Sequence, residues 1–105
     1  MALPQLTPEQ RAEALEKAAA ARRERAEVKN RLKQAKGSLS EVIDEGKTSD
    51  VIGKMKVSSL LESMPGVGRV RARQIMEEIG ISETRRVRGL GAQQIAKLLE
   101  RFNES

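Results

Sequence analysis

The chain has 105 residues, enough for one domain with a thin core. Lysine and arginine number 20 against 15 acids, a net charge of +5 with an isoelectric point near 10.0, which favours anionic partners and nucleic acid first among them. With no cysteine and no histidine, disulfide frameworks, thiolate chemistry, Cys–His zinc sites and histidine-based proton transfer are excluded.

Thr7-Pro8-Glu9-Gln10 opens the first element. Thr7 can cap, Pro8 suits the first helical position, and Gln10 completes a capping box. Nothing breaks a helix from Pro8 to about Ala35, and Gly37 is its expected stop. Strong apolar residues are sparse here. Val28 and Leu32 share a face at i,i+4 spacing, whereas Leu15 stands apart. The C-terminal half is therefore expected to pack and the alanine-rich N-terminal half to stay in water.

Ser38-Leu39-Ser40-Glu41 is a second capping box, with Leu39, Val42 and Ile43 facing inward and Gly46 at the end. Ser49 or Asp50 starts a further turn through Val51 and Ile52, and Gly53 to Val57 forms a short basic connection. A helix from Ser58 to Met64 follows, stopped by Pro65. The next runs from Arg69 to Ile79 with Val70, Ile75, Met76 and Ile79 inward and Gly80 at its end. The last runs from Ala92 to Phe102 with Ile95, Leu98, Leu99 and Phe102 on one stripe. No strand and no repeat is evident. The opening MALPQL lacks the cationic flank of a signal peptide, and no apolar run approaches a membrane span.

The expected fold is all-α: a long helix within residues 1–36, protruding in part, packed on a compact helical body of residues 37–105. The charge is uneven: net +4 over residues 1–36, −2 over 37–63 and +3 over 64–105.

Between two helices lies Pro65-Gly66-Val67-Gly68, followed at once by Arg69, Arg71 and Arg73. A plain helix connection would need the glycines for its bend but not the arginines. Glycines permit positive φ and close approach of backbone to a ligand. Val67 can plug the turn into the core. The free amides at the start of the next helix, aided by its dipole, suit a phosphate. Replacing Gly68 by valine is expected to strain the turn and block that approach.

Downstream, Ser82 to Gly91 is too long for one tight hairpin and too short for a helix pair, so it makes two successive turns. Arg85, Arg86 and Arg88 sit on them, framed by Gly89 and Gly91 around Leu90, the expected core plug. Gly91 is expected to cap the last helix and leave further free amides. No acid lies nearer in sequence than Glu83, so the charge of the three arginines is expected to be available. Arg22, Arg23, Arg25 and Lys29 on the long helix are either a solvated face laced with ion pairs or a candidate second phosphate-contacting surface.

GVGRVRARQIMEEIGISETRRVRGLG resembles the helix-two-turn-helix of the ribosomal protein S13 family, placing that motif at about residues 64–103. Over nearly the whole length, LTPEQRAEALEKAAAARRERAEVKNRLK, GKMKVSSLLESMPGVGRVRARQIM and TRRVRGLG resemble the actinobacterial integration host factor family. That resemblance implies a cytoplasmic, nucleoid-associated monomer binding duplex DNA with little sequence specificity. It further implies DNA bending or compaction and support of site-specific recombination, with a recombinase as a further partner. By motif, Arg85, Arg86, Arg88 and Gly89 match the family's DNA-contacting turn. Gly66, Val67, Gly68 and Arg69 match its phosphate-binding turn, and Lys54 and Lys56 its basic segment. No cofactor, metal, membrane or catalytic residue is implied. RNA binding is the alternative, disfavoured because readers of single strands use stacking aromatics and Phe102 is the one aromatic residue. An enzyme of the DNA glycosylase kind would need a further catalytic domain.

Overall fold

The computed structural model describes residues 5–104. Helix α1 spans Pro8–Lys33. Its Thr7–Gln10 capping box is closed both ways, Gln10 N–H donating to Thr7 Oγ1 (3.1 Å) and Thr7 N–H to Gln10 Oε1 (3.0 Å). Val28 and Leu32 are buried and residues 5–18 are exposed, Leu15 being 63% exposed. Strong helix formers keep this protruding half helical without packing. Its stop is not Gly37. Ala35 takes the left-handed conformation (φ 55°), and the amides of Ala35 and Lys36 reach back to the carbonyls of Leu32 and Arg31.

Three short helices follow: α2 (Leu39–Glu45), α3 (Asp50–Gly53) and α4 (Val57–Glu62). At the start of α2 Ser38 accepts from the Glu41 amide, but the box is not completed by Glu41. Instead the carboxylate of Glu104 accepts from the amides of Leu39 (3.0 Å) and Ser40 (2.9 Å), tying the far end of the chain to this helix. Helix α3 is capped by Ser49, whose hydroxyl also donates to Glu24 on α1. The pair Arg31–Glu45 (2.8 Å) joins α1 to α2.

Helix α5 (Arg69–Ile79) begins at Gly68 and ends at Gly80, which is left-handed (φ 83°). Its buried face is Ala72, Ile75 and Met76, with Ile79 packed beside them. Val70, expected inward, is 71% exposed: it lies five residues before Ile75, on another face, while Ala72 lies on the stripe at i−3 and i−4 from Ile75 and Met76.

Two turns precede α6 (Ala92–Arg101), the second being a 3₁₀ turn at Val87–Gly89. The plug here is Val87, which is buried; Leu90 only leans on the core. Val87 is held by an isolated antiparallel bridge between Lys56 and Arg86. Val57 N–H donates to Arg85 O (3.0 Å) and Val87 N–H to Met55 O (2.9 Å). No longer β-pairing exists among the described residues. Gly91 caps α6, but its own amide is taken by Gln94 Oε1 (2.9 Å) rather than left free. One apolar core joins the second half of α1 to every later helix. Among the described residues no helix is long and apolar enough to cross a membrane.

Candidate nucleic-acid interface

The bridge at Lys56–Arg86 brings the basic connection and the second turn together, and α3 packs on α1. The result is a groove of about 480 Å³. Arg25 and Lys29 enter it from α1, Lys54 and Lys56 from the connection and Arg86 from the turn, with Asp50 at the rim. Three segments that sequence treats separately thus share one cleft. Arg22 and Arg23 do not line it. They stay exposed on α1, and Arg22 Nε donates to the Ala18 carbonyl (3.4 Å).

The second turn's arginines are braced. Arg85 donates to the Gly89 carbonyl (3.0 Å) and Arg86 to the Lys54 carbonyl. Arg88 pairs with Asp50 (2.9 Å) and reaches the Gly46 carbonyl (3.4 Å). The expectation that no acid neutralises this cluster therefore fails at Arg88. The guanidinium, by its hydrogen bond first and its charge second, holds the Asp50 carboxyl below its usual range, and Lys54 adds to this. Gly46 and Gly53 make the close packing possible. A Cβ on Gly46 would meet Val87 at 2.8 Å, and one on Gly53 would meet the Gly46 carbonyl at 2.6 Å and Arg88 at 2.8 Å.

The first turn is built differently. Gly66 has φ 75° and needs glycine; Val67 packs partly on the core, its amide donating to Met64 O (3.1 Å). Gly68 has φ −92° with nothing within 4 Å of an added Cβ, so valine there brings no backbone strain, contrary to expectation. The first backbone bond into α5 is Ala72 N–H to Gly68 O (2.9 Å). The amides of Gly68, Arg69 and Val70 are thus left to solvent or to an anion. Arg71 is exposed and makes no ion pair among the described residues. Arg69 and Arg73 face Glu62 (3.9 Å) and Glu83 (3.0 Å) across a second groove, which meets the first at Lys56. Gly89 is exposed beside Arg85. Sequence reasoning missed Asp50, Glu62, Glu83 and the groove-lining Ser59; only the folded contacts single them out.

Phe102, the one aromatic residue, is partly buried against the core, so the surface has no aromatic stacking platform. Two turns with basic rims between α5 and α6 define a helix-two-turn-helix protein. Consistent with this, a family model described as the S13-like H2TH domain matches residues 32–102. Over its whole length the chain is 73% identical to the integration host factor of Streptomyces coelicolor, covering 98% of that protein. It is 60% identical to that of Mycolicibacterium smegmatis and 58% to that of Mycobacterium tuberculosis, covering all of each. A solved structure described as sIHF bound to an 8-bp palindromic DNA superposes with a TM-score of 0.81 at 74% identity, covering 83% of this chain and 98% of that one. The chain belongs to the integration host factor family, whose members are binding proteins rather than enzymes.

Proposed function

We propose that the chain binds double-stranded DNA as a monomer, with little sequence specificity, through phosphate contacts. In this role it bends or compacts nucleoid DNA and assists site-specific recombination. The observation that carries this is the five-cation groove of Arg25, Lys29, Lys54, Lys56 and Arg86. A second groove that shares Lys56 with it leads to Arg69, at the turn whose free amides are open to a phosphate. The remaining members of the surface are Arg71 and the Gly66–Gly68 turn, braced Arg85, Arg88 and Gly89, and Arg69 and Arg73 at the border. The DNA complex of the 74%-identical relative supports the choice of duplex DNA. The shortage of groove-reading side chains supports weak specificity, since phosphate contacts position without specifying sequence. On this view residues 1–36 and 37–105 are two arms of one binding unit, and Arg22 and Arg23 extend it along α1.

The test is a gel-shift comparison of duplex DNA, duplex RNA and single strands across salt. Duplex DNA should bind best, with affinity falling steeply and log-linearly with salt. Equal or tighter binding of duplex RNA would favour an RNA-binding role, for which the S13-like domain match speaks. Replacing Arg22, Arg23 and Arg25 by alanine should reduce compaction of long DNA more than affinity for a short duplex.

A further inference from the structure

The two grooves that meet at Lys56 differ in charge. The first sets five cations against Asp50 alone. The second sets Lys56, Arg69 and Arg73 against two carboxylates, Glu62 and Glu83. Glu83 Oε1 lies 3.0 Å from Arg73 Nε, a close ion pair, and Glu62 Oε1 lies 3.9 Å from Arg69 Nε, a looser ionic contact.

Both pairs are largely exposed, and exposed pairs of this kind add little to stability. Holding the fold together therefore does not account for them. Glu83 is also placed by its own turn, in which Thr84 N–H donates to Ser82 Oγ (3.3 Å) and the two hydroxyls share a hydrogen bond (3.1 Å). Carboxylate and phosphate oxygens both accept from a guanidinium. Glu83 thus takes the Arg73 Nε–H that a backbone phosphate would otherwise use, and Glu62 sets a negative charge beside Arg69.

We propose that Glu62 and Glu83 limit the affinity and the extent of the DNA-binding face. They compete with phosphate for Arg69 and Arg73 and cut the net positive charge of the second groove, so that this groove adds little to the affinity supplied by the five-cation groove and the open amides. Binding is thereby kept weak enough to be reversible on any sequence. The inference rests on the duplex-DNA assignment above.

The experiment uses the full chain with Glu62→Gln and Glu83→Gln together, and each alone should the pair fold poorly. Affinity for a short duplex is measured by fluorescence anisotropy over a range of salt. Each freed arginine gains one phosphate contact, so the double variant should bind about three- to tenfold tighter near 0.1 M salt. Its log–log salt plot should steepen by roughly one to two units, each single variant giving about half of that. Adding Arg69→Ala and Arg73→Ala to the double variant should abolish the gain, since the effect acts through those two side chains. If the parent binds duplex DNA and the glutamine variants bind no tighter with an unchanged slope, the affinity-limiting role is overturned while DNA binding stands. A parent that binds no duplex at any salt overturns both.

Discussion

Around Gly66–Gly68 the chain keeps its surroundings empty, with nothing within 4 Å of a Cβ placed on Gly66 or Gly68. Around Arg85–Gly89 every arginine is bonded to a backbone carbonyl, and Val87 is driven into the core between them. The two turns have similar compositions, basic and glycine-bearing, yet one is open and the other braced. Beside the open turn Arg71 makes no ion pair among the described residues and Arg69 only a loose one, so that charge is weakly coupled to folding. Charge on the braced turn is coupled to it, because Arg88 also satisfies the Gly46 carbonyl between α2 and α3 and Arg86 the Lys54 carbonyl after α3, while Arg85 closes its own turn on Gly89. Substitutions should separate binding from stability in the first turn and mix them in the second.

The largest effect is expected where the brace has no room. In Gly53→Val the new side chain meets the Gly46 carbonyl and Arg88. Overpacking of this kind costs about 1–3 kcal/mol, and in a domain this size each kcal/mol lowers the melting temperature by roughly 4–8 °C. Thermal unfolding followed by circular dichroism reads this directly, and an unshifted melting temperature would mean that the brace does not constrain the fold.

Next comes the charge of the braced turn. Changing Arg85, Arg86 and Arg88 together to alanine should flatten the salt plot for duplex DNA by about two units rather than three, because Asp50 already occupies Arg88. The same variant should melt earlier than the parent. A folded triple variant with the parent's salt slope would remove this turn from the DNA surface.

Gly68→Val makes the converse test at the open turn. With ordinary φ and empty space, it should melt within about 2 °C of the parent. Duplex affinity should fall about tenfold, the scale of one lost hydrogen bond to a charged group. Binding equal to the parent's would show that no phosphate approaches here.

The smallest effect concerns acid. Because Arg88 depresses the folded pKa of Asp50, that carboxylate stabilises the fold at pH values above its unfolded pKa of about 3.9, and the contribution fades as pH falls through the lower folded value. Asp50→Asn should lack this part of the acid-induced decline below about pH 4, measurable as a flatter melting temperature against pH. Identical acid profiles for parent and variant would show the pair to be inconsequential.

Much of the fold was legible because local chemistry agrees with it: Thr7 and Gln10 bracket the start of α1, and Gly68 and Gly80 bracket α5. Residue type points Val70 inward, but helical angle puts the smaller Ala72 in the buried position. The glycine near the end of α1 is not its stop, because Ala35 takes the left-handed conformation instead. The arginine clusters stood out in sequence, but their partners did not. Arg86 finds a carbonyl 32 residues away and Arg88 one 42 residues away, and no local pattern reports contacts of that span. The convergence of Arg25 and Lys29 with Lys54, Lys56 and Arg86 was hidden for the same reason, since it exists only once α3 has docked on α1.

Glu104 carries a consequence for the order in which the molecule assembles. Its carboxylate bonds to amides 65 and 64 residues earlier, among the most distant contacts in the chain. Closing so long a loop is entropically costly before other contacts exist, so this clasp forms late in folding. In the native state, release of Glu104 alone uncovers the Leu39 and Ser40 amides without disturbing the buried helices behind them. Hydrogen exchange at those two amides therefore reports the opening of the clasp separately from global unfolding.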